Sequence, residues 1–522
     1  MEAVLAMMAL TVLFGGFVLY LYNNMVLEPG RMRSKLQKQG VRGPSPSIPL
    51  GSIPEMKKIQ LQVRSRTNTP NDRLYDVVSI GHDWPSTVLS HLIQWRNEYG
   101  PVFMYELGNM QFLCITDAEM VKEVSVYTSL NLGKPSYLSK EHGSLLGQGI
   151  ISSSGPIWAH QKKIIAPEFY LDKVKGMVSL MVDSTNFMLR TWGSRIKSEG
   201  GVADIKVDED LRSLSADIIS RACFGSSYSQ GEHIFSKLRT LQKMMSKRIL
   251  GIPFLRFIPT KNNIDILRLE KEIHTMILKV VKQRTEEAAE EKDLLQMILQ
   301  GATASGGIDN PPLGITRDKF IVDNCKNIYF AGHETTAITA SWSLMLLAAY
   351  PVWQTRVRAE VQEICNGGSI PHADMLRSMK VLTMVIQETL RLYPPGVFVS
   401  RKALQDIQLK EILIPKEMHI QIPISILHQD TDLWGPDAHQ FNPERFEHGI
   451  LGACKLPQAF IPFGVGTRIC VGQHLAMIEL KVILSLILSK LCFSMSPAYR
   501  HSPAFKLVIE PEHGINLRVE RI

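Results

Sequence analysis

The segment from Phe463 to Gly472, with the sequence FGVGTRICVG, constrains this chain more than any other feature. It places Cys470 in a glycine-bounded turn directly before the strongly apolar run Gln473–Leu491, which predicts a helix. The start of a helix presents unpaired N–H groups and the positive end of its dipole, and both stabilise a thiolate. Arg468 offers a forked guanidinium that can bind a carboxylate. A thiolate beside a carboxylate-binding arginine is what a thiolate-ligated haem requires, for its iron and for its propionates.

Five residues of this segment match the pattern F-x-x-G-x-R-x-C-x-G. The pattern resembles the haem-binding signature of the cytochrome P450 monooxygenases. The resemblance implies that the Cys470 thiolate is the metal ligand and coordinates the haem iron. It also implies that the other four matched residues bind the same cofactor. A structural cysteine between glycine turns is the alternative interpretation. The five residues are Phe463, Gly466, Arg468, Cys470 and Gly472.

The N-terminal run from Ala3 to Tyr22 is uncharged and long enough to span the hydrocarbon core of a bilayer. Basic residues follow this run, whereas only Glu2 precedes it, so the positive-inside rule places the bulk of the chain in the cytosol. A cleaved signal peptide would need a basic start and a small-residue cleavage site, and neither is present. We therefore predict a single-pass signal-anchor over residues 1–25. The resemblance implies the endoplasmic reticulum membrane.

After the anchor, the chain is predicted to form a hinge and then one large domain. Prolines stiffen the segment Gly43–Pro49, so residues 26–60 are interpreted as a basic and Pro-rich hinge. Apart from the acidic stretch Glu286–Lys292, no linker or repeat interrupts the rest. Residues 61–522 are therefore predicted to be a single haem domain.

Composition argues against several other classes of protein. The seven cysteines are an odd number without a CxxC pair, which disfavours zinc binding and c-type haem attachment. A cytosolic domain keeps thiols reduced, so six cysteines are predicted to be ordinary buried thiols and one to be the ligand. The net charge is +8, but the basic residues are spread along the chain and form no nucleic-acid motif. Membrane lipid and an acidic electron donor are better partners for this charge than nucleic acid.

The run from Asp318 to Tyr350 predicts one long helix that ends before Pro351. The sequence AGHETT lies at its centre, where Glu334 and Thr335 supply an acid and a hydroxyl that could relay protons. A threonine bonded back to its own helix and a solvated glutamate are the alternative. The segment resembles the family's oxygen-activating motif, which implies that Glu334 and Thr335 are catalytic and favours monooxygenation.

A second helix carries Glu388 and Arg391 three residues apart, where they can form an ion pair. The pair matches the E-x-x-R motif of the family, whose partner is the arginine of a P-E-R-F segment, here Arg445. The resemblance implies a buried structural cluster of these three residues. It also implies propionate contacts from a W-x-x-x-K segment and from one more arginine, which are Trp158, Lys162 and Arg401.

The fold class predicted is mainly α with small β-sheets, and the resemblance implies the cytochrome P450 fold from the hinge to Gly514. Besides the run Asp318–Tyr350, the apolar patterns predict five helical runs, of which the last carries Glu388 and Arg391: Thr87–Tyr99, Leu171–Ser198, Asp208–Cys223, Asn263–Ala288 and Ile370–Leu392. They also predict two strand pairs, Val102–Leu107 with Gln111–Thr116 and Phe505–Ile509 with Ile515–Val519.

The family resemblance also implies where a substrate binds. The predicted walls are the loop Gly133–Ile151, the turn Glu512–Gly514 and the seven residues Asn327, Phe330, Ala331, Val397, Phe398, Val399 and His513. Most of these are apolar, which favours a bulky hydrophobic substrate. The apolar residues Phe254, Leu255, Phe257 and Ile258 could enter the membrane or pack on the core.

The resemblance implies an NADPH-dependent monooxygenase that receives electrons from NADPH-cytochrome P450 reductase. Within the family the chain is similar to plant terpenoid- and hormone-oxidising members, and Gly51–Gln62 resembles members that oxidise gibberellins. The predicted substrate is a gibberellin-type diterpenoid acid, which would be hydroxylated or epoxidised. Hydroxylation of a pentacyclic triterpenoid is the alternative. A haem-thiolate isomerase or dehydratase and a non-catalytic ligand-binding haem protein are alternatives of other classes.

Overall fold

The computed structural model describes residues 1–67, 80–225, 228–248, 251–252, 258–286, 293–304, 315–366 and 369–522. Helices dominate these ranges and the sheets are small, so the predicted fold class is confirmed. The helices are α1 Glu2–Tyr22, α2 Glu28–Gln37, α3 Ile53–Thr67, α4 Pro85–Val88, α5 Ser90–Tyr99, α6 Ala118–Val126, α7 Ser136–Lys140, α8 Gly143–Leu146, α9 Gly155–Ile165, α10 Leu171–Lys175, α11 Val178–Ser198, α12 Val207–Phe224, α13 Tyr228–Met245, α14 Lys261–Glu286, α15 Leu294–Ala304, α16 Arg317–Ala349, α17 Pro351–Ile364, α18 Ala373–Ser378, α19 Lys380–Leu392, α20 Ile424–His428, α21 Thr431–Trp434, α22 Gly449–Ala453 and α23 Gln473–Lys490.

The strands are β1 Val102–Leu107, β2 Met110–Ile115, β3 Leu132–Gly133, β4 Val202–Lys206, β5 Phe398–Ala403, β6 Ile407–Leu409, β7 Ile412–Ile414, β8 His419–Pro423, β9 Leu491–Met495, β10 Pro503–Phe505, β11 Ile509–Pro511 and β12 Asn516–Arg521. A five-stranded sheet has the order β1-β2-β8-β5-β3, and a three-stranded sheet has the order β4-β12-β9. The predicted pairing of β1 with β2 is confirmed, with Val102 opposite Ile115 in an antiparallel register. Two hairpins, β6-β7 and β10-β11, complete the sheets of the described residues.

The predicted pairing of Phe505–Ile509 with Ile515–Val519 is wrong. Leu507 has φ +70°, a left-handed conformation that breaks a strand. The chain therefore folds back within this segment, and Phe505 pairs with Ile509 across the β10-β11 hairpin. β12 pairs instead with β4 and β9, so that Val519 lies between Ala203 and Phe493. These partners are far apart in the chain, and local patterning does not identify them.

Three predicted helical runs are shorter or interrupted. The run predicted from Ile370 begins only at Ala373, because a residue before proline avoids the helical conformation and Ile370 precedes Pro371. This run is also divided between α18 and α19 at Met379. The run Leu171–Ser198 is divided between α10 and α11 at Gly176. The run Thr87–Tyr99 is divided between α4 and α5 at Leu89. Helix α12 extends one residue beyond the predicted run at each end, and α14 begins two residues earlier than predicted. The last two residues of the predicted run Asn263–Ala288 lie outside the described residues.

Helix α16 forms the centre of the domain and confirms the predicted long helix. The side-chain oxygen of Thr316 accepts a hydrogen bond from the backbone N–H of Lys319 and caps the start of α16. Most of its side chains are buried, and α16 packs against α12, α15, α19 and α23. Because it is buried on nearly all sides, it is a core helix that can carry a site at its middle.

The N-terminal helical segment Glu2–Gln37 is long and apolar enough to cross a membrane, and its most apolar stretch is not buried in the protein. The C-terminal part of this segment, α2, contacts the chain that follows it, and that following chain packs against the domain. Arg33 donates hydrogen bonds to the carbonyls of Gly43 and Pro44, each at 2.9 Å. A Cβ at Gly43 would lie 1.7 Å from the Met104 carbonyl oxygen, so only glycine fits against β1 there. The domain limits given above remain predictions.

Candidate active site

A cavity of about 310 Å³ lies between α16, the cysteine segment and the sheet strand β5. Cys470 and Thr335 both line it, so the structure brings together two residues 135 positions apart in the sequence. A larger hollow of about 700 Å³ is formed by α11 and the C-terminal residues, but it contains none of the predicted site residues. The 310 Å³ cavity is therefore the candidate active site.

The cysteine segment forms a tight loop that presents its sulfur to this cavity. Gly464 and Gly466 have φ +79° and +69°, which L side chains rarely adopt. The backbone N–H of Cys470 donates a 2.8 Å hydrogen bond to the carbonyl of Phe463, which closes the loop just before α23. The other cysteines are free thiols, of which Cys454 and Cys492 are only half-buried, contrary to the prediction that all six are buried.

The start of α23 is not sufficient to make Cys470 a thiolate. The Cys470 side chain is exposed to the cavity, but the surrounding protein atoms partly exclude water from it, and this desolvation raises the pKa of the thiol. The opposing hydrogen bond from the Gly472 N–H does not offset the increase. A metal ion bonded to the sulfur would reverse this balance, because coordination deprotonates a thiol outright. The sulfur therefore suits a metal-bearing cofactor better than it suits a free thiolate nucleophile.

Three cations line the same cavity without an acidic partner. Burial lowers the pKa of Arg401 to about 10, and burial together with the charge of Arg401 lowers the pKa of Arg468 to about 9. Burial and both arginines also hold the pKa of Lys134 well below its ordinary value. No acidic residue of the described ranges forms an ion pair with these three, and one Arg468 nitrogen, Nη1, is buried without a hydrogen-bond partner. Such a set requires anionic groups from a ligand.

These observations together test whether the residues fit a haem. A haem needs a thiolate or similar axial ligand for its iron and cations for its two propionates. Cys470 supplies the first, and Lys134, Arg401 and Arg468 can supply the second. The donor set therefore fits. Sequence reasoning missed Lys134, whose only signal is a basic residue at the start of the loop Gly133–Ile151.

Trp158 and Lys162 support the site from outside its lining. The Arg468 guanidinium lies 4.2 Å from the centre of the Trp158 ring, a cation–π contact that orients it. Lys162 Nζ lies 5.1 Å from the same ring and donates a 2.7 Å hydrogen bond to the carbonyl of Thr467. Lys162 thus holds the backbone of the cysteine loop, and its ammonium is directed to a carbonyl rather than into the cavity.

The acid and the hydroxyl of the AGHETT segment face different surroundings. Thr335 lines the cavity, and its Oγ1 donates a 2.8 Å hydrogen bond to the carbonyl of Ala331, as the back-bonded alternative predicted. Glu334 is fully buried, so the alternative of a solvated glutamate is wrong. A Cβ on Gly332 would lie 2.5 Å from Ile219, so the glycine allows α12 to approach α16 closely.

Glu334 belongs to a buried ion cluster. Its carboxylate lies 3.2 Å from Arg212 Nε, 3.0 Å from Arg239 Nη1 and 3.3 Å from His333 Nε2. Burial alone would raise the pKa of Glu334, but the His333 hydrogen bond and the two arginine charges outweigh it and hold the pKa well below its ordinary value. Arg212 also contacts Glu510 at 3.3 Å. Arg212, Arg239 and Glu510 come from distant segments, and no sequence signal connects them to Glu334.

The structure brings Glu388, Arg391 and Arg445 together. Arg391 binds Glu388 through two nitrogens, at 2.6 and 2.7 Å, and both side chains are fully buried. Arg445 Nε lies 3.6 Å from Glu388 Oε1. Arg391 also donates to the carbonyls of His428 and Ala438, at 2.8 and 2.6 Å. This cluster ties α19 to the chain that leads into the cysteine segment.

The predicted substrate residues divide into two groups. Ala331, Phe398 and Val399 line the cavity. Asn327, Phe330, Val397 and His513 do not: Asn327 is buried under the loop Gly133–Ile151, Val397 is buried, Phe330 is half-buried and His513 is exposed. Of the possible membrane-entering residues, Phe254, Leu255 and Phe257 lie outside the described residues, and Ile258 is exposed.

Asn327 has a structural task instead. Its Oδ1 accepts a 2.8 Å hydrogen bond from the N–H of Ile151, and its Nδ2 donates a 2.7 Å hydrogen bond to the carbonyl of Leu146. Asp323 accepts another from the N–H of Gln148 at 2.9 Å. Side chains of α16 thus hold the loop above the cavity in place.

Comparison with known proteins agrees with this site. A profile of the cytochrome P450 family matches residues 76–518. The chain is 50% identical to cytochrome P450 714C2 of Oryza sativa subsp. japonica, over 95% of this chain and 94% of that protein. It is 46% identical to cytochrome P450 714B3 of Zea mays, over 97% of this chain and 94% of that protein. It is also 46% identical to cytochrome P450 714A2 of Arabidopsis thaliana, over 96% of this chain and 95% of that protein. The chain therefore belongs to the cytochrome P450 family, as a haem-thiolate monooxygenase that depends on electrons from a reductase.

Proposed function

We propose that this protein is an endoplasmic reticulum monooxygenase that hydroxylates or epoxidises a gibberellin-type diterpenoid acid, with NADPH-cytochrome P450 reductase as its electron donor. The apolar segment Glu2–Gln37 supports membrane anchoring. The observation that carries the chemistry is the cavity shared by Cys470 and Thr335. When bound there, haem supplies the oxygen activation and C–H or C=C oxidation of the reaction.

The residues of this chain have three tasks in that reaction. Cys470 holds the cofactor through its sulfur, and Arg401 and Arg468 neutralise and orient its acidic side arms. Trp158 and Lys162 keep Arg468 and the cysteine loop in position, through the contacts of 4.2 Å and 2.7 Å. Rigid support of this kind matters because a small displacement of the reacting centre costs rate.

Thr335 and Glu334 manage protons in the proposal. The Thr335 hydroxyl donates to a helix carbonyl and keeps its lone pairs for hydrogen bonds from the cavity. Glu334 stays ionised beside Arg212 and Arg239, and it can accept a proton only when its carboxylate is separated from these arginines. We expect proton delivery to need a rotation of Glu334 out of this ion cluster.

The cavity walls favour a bulky apolar substrate that carries one anionic group. Ile328, Ala331, Phe398 and Val399 provide apolar surface. Three basic side chains line the cavity, whereas haem has two propionates, so one basic side chain remains for another anion. Lys134 is suited to bind the carboxylate of a diterpenoid acid, because an adjacent carboxylate favours the protonated lysine. A neutral pentacyclic triterpenoid, the second candidate, would bring no anion to Lys134, and the pKa of Lys134 would stay well below its ordinary value.

Product formation by the full-length protein with a plant reductase and NADPH tests the proposal, with a diterpenoid acid, its methyl ester and a pentacyclic triterpenoid as substrates. We expect a product one oxygen heavier from the acid. Lys134→Met should raise KM for the acid several-fold and leave KM for the ester unchanged, whereas Lys140→Met, an exposed residue of α7, should change neither. Exclusive turnover of the triterpenoid, or an equal effect of Lys134→Met on acid and ester, would contradict the substrate assignment.

A further inference from the structure

A continuous chain of hydrogen-bonded tyrosine and histidine side chains lies at the end of α19. At its centre is Tyr393, which is fully buried at the end of α19. Its hydroxyl lies 2.7 Å from His82 Nδ1 and 3.3 Å from His501 Nε2. The other nitrogens of these histidines lie 2.9 Å from the Tyr350 hydroxyl and 2.7 Å from the Tyr499 hydroxyl. None of these five residues takes part in the reaction described above.

Both histidines of this hydrogen-bonded chain, His82 and His501, are neutral. Burial, with smaller contributions from His501 and Arg391, lowers the pKa of His82 to about 3, and burial lowers the pKa of His501 to about 4. A neutral histidine has one N–H donor and one acceptor nitrogen. The four hydrogen bonds can therefore all run from Tyr350 to Tyr499, or all in the reverse direction. In either arrangement the single hydroxyl proton of Tyr393 is donated to a histidine.

A tryptophan of α16 stacks on the central tyrosine of this hydrogen-bonded chain. The Trp342 ring is fully buried and stacks on the Tyr393 ring, with centroids 4.4 Å apart and planes 14° apart. Trp342 lies one helical turn after Thr339 on α16, and Tyr393 lies three residues after Leu390 at the end of α19. Thr339 and Leu390 both line the cavity. Trp342 and Tyr393 therefore each lie three residues, about one helical turn, from a residue of the cavity wall.

We propose that Trp342 and Tyr393 form an electron relay that reduces the oxidised haem centre of the monooxygenase cycle when no substrate is within reach. Trp342 transfers one electron to the haem centre, and Tyr393 then transfers one electron to the oxidised indole. The Oη–H bond of Tyr393 breaks, and an N–H bond forms on His82 or His501. The haem centre is reduced by one electron and Tyr393 becomes a neutral radical.

The proton acceptor is what makes Tyr393 suitable for this role. An oxidised phenol is a far stronger acid than a neutral phenol, so it gives its proton even to a histidine whose pKa is low. The two outer residues of the hydrogen-bonded chain, Tyr350 and Tyr499, are half-buried. A small cellular thiol can return the electron there. The proposal rests on haem binding at the cavity and does not depend on which terpenoid is the substrate.

The test uses the haem-loaded full chain, without substrate or reductase, mixed with hydrogen peroxide and frozen rapidly. Electron paramagnetic resonance with ring-deuterated tyrosine identifies tyrosyl radicals, and absorption follows bleaching of the haem. We expect a tyrosyl radical in the wild-type protein. Tyr393→Phe should lower its yield several-fold and accelerate bleaching. Tyr105→Phe is the matched control, because Tyr105 is buried and hydrogen-bonded to Gln421 but has no histidine partner among the described residues.

Three results would overturn the relay. The first is the absence of any tyrosyl radical in the wild-type protein, and the second is a radical yield and bleaching rate in Tyr393→Phe equal to those of Tyr105→Phe. If Tyr393→Phe does not load haem, Trp342→Phe is tested in its place. Trp342→Phe keeps Tyr393 but should still lower the radical yield. An unchanged radical yield in Trp342→Phe is the third result that would overturn the relay. If these residues have only a structural role, Tyr393→Phe and Trp342→Phe should both lower the stability of the protein and leave the radical yield unchanged.

Discussion

Glu479 is a fully buried carboxyl group whose ionisation should make the stability of this protein depend on pH. It lies on α23, and its Oε1 accepts a 2.6 Å hydrogen bond from the Ser215 hydroxyl. Its Oε2 has no hydrogen-bond partner in the described part of the chain. Burial raises the pKa of Glu479 to about 8, although the Ser215 hydrogen bond acts in the opposite direction. The folded protein therefore keeps this group protonated near neutral pH.

The sign and size of the effect follow from proton linkage. The pKa is 4.5 for an unperturbed glutamate and about 8 in the folded protein. Between these two values the folded state binds more protons than the unfolded state, so the free energy of unfolding falls as the pH rises. Glu479 causes no loss below about pH 4.5. The full loss, on the order of 5 kcal/mol, is reached above the folded pKa.

The measurement is urea unfolding of the haem-loaded full chain in detergent at several pH values between about 5 and 8. Glu479→Gln keeps the size of the side chain and cannot ionise, so its advantage over the wild type should grow steadily with pH. Glu363→Gln, on the exposed face of α17, is the control and should follow the wild type. A constant difference between Glu479→Gln and wild type across this range would refute the reasoning.

Two further changes test the site and its support. Glu388→Gln should cost about 3–5 kcal/mol of stability and lower the yield of haem-loaded protein, because it leaves Arg391 buried without a counter-charge. Glu444→Gln is the control, because it breaks an exposed ion pair and should cost less than about 1 kcal/mol. Equal losses of stability in urea unfolding of the two variants would contradict the argument. Thr335→Ala should leave the red-shifted absorption band of the reduced carbon monoxide complex intact, because that band depends on Cys470, and should divert electrons to hydrogen peroxide. Unchanged coupling of NADPH consumption to product would count against a proton-relay role.

Much of this site could be predicted from short stretches of sequence. The loop around Cys470 depends on glycines at positive φ and on a helix that follows at once, and both are local properties. The length of α16 follows from its apolar composition and from Pro351, which cannot continue it. The pairing of Glu388 with Arg391 follows from a spacing of three on one helix. In each case neighbours in the chain decide the geometry.

Contacts between distant segments were decided only by the tertiary structure. The two arginine partners of Glu334 come from α12 and α13, and Lys134 enters the haem site from a loop more than 300 residues before Cys470. Glu479 looks like any helical glutamate until Ser215 and the core close around it. The physical reason is the same in each case: the charge state of a buried group depends on burial and on groups brought near it by folding, and neither is encoded in local spacing.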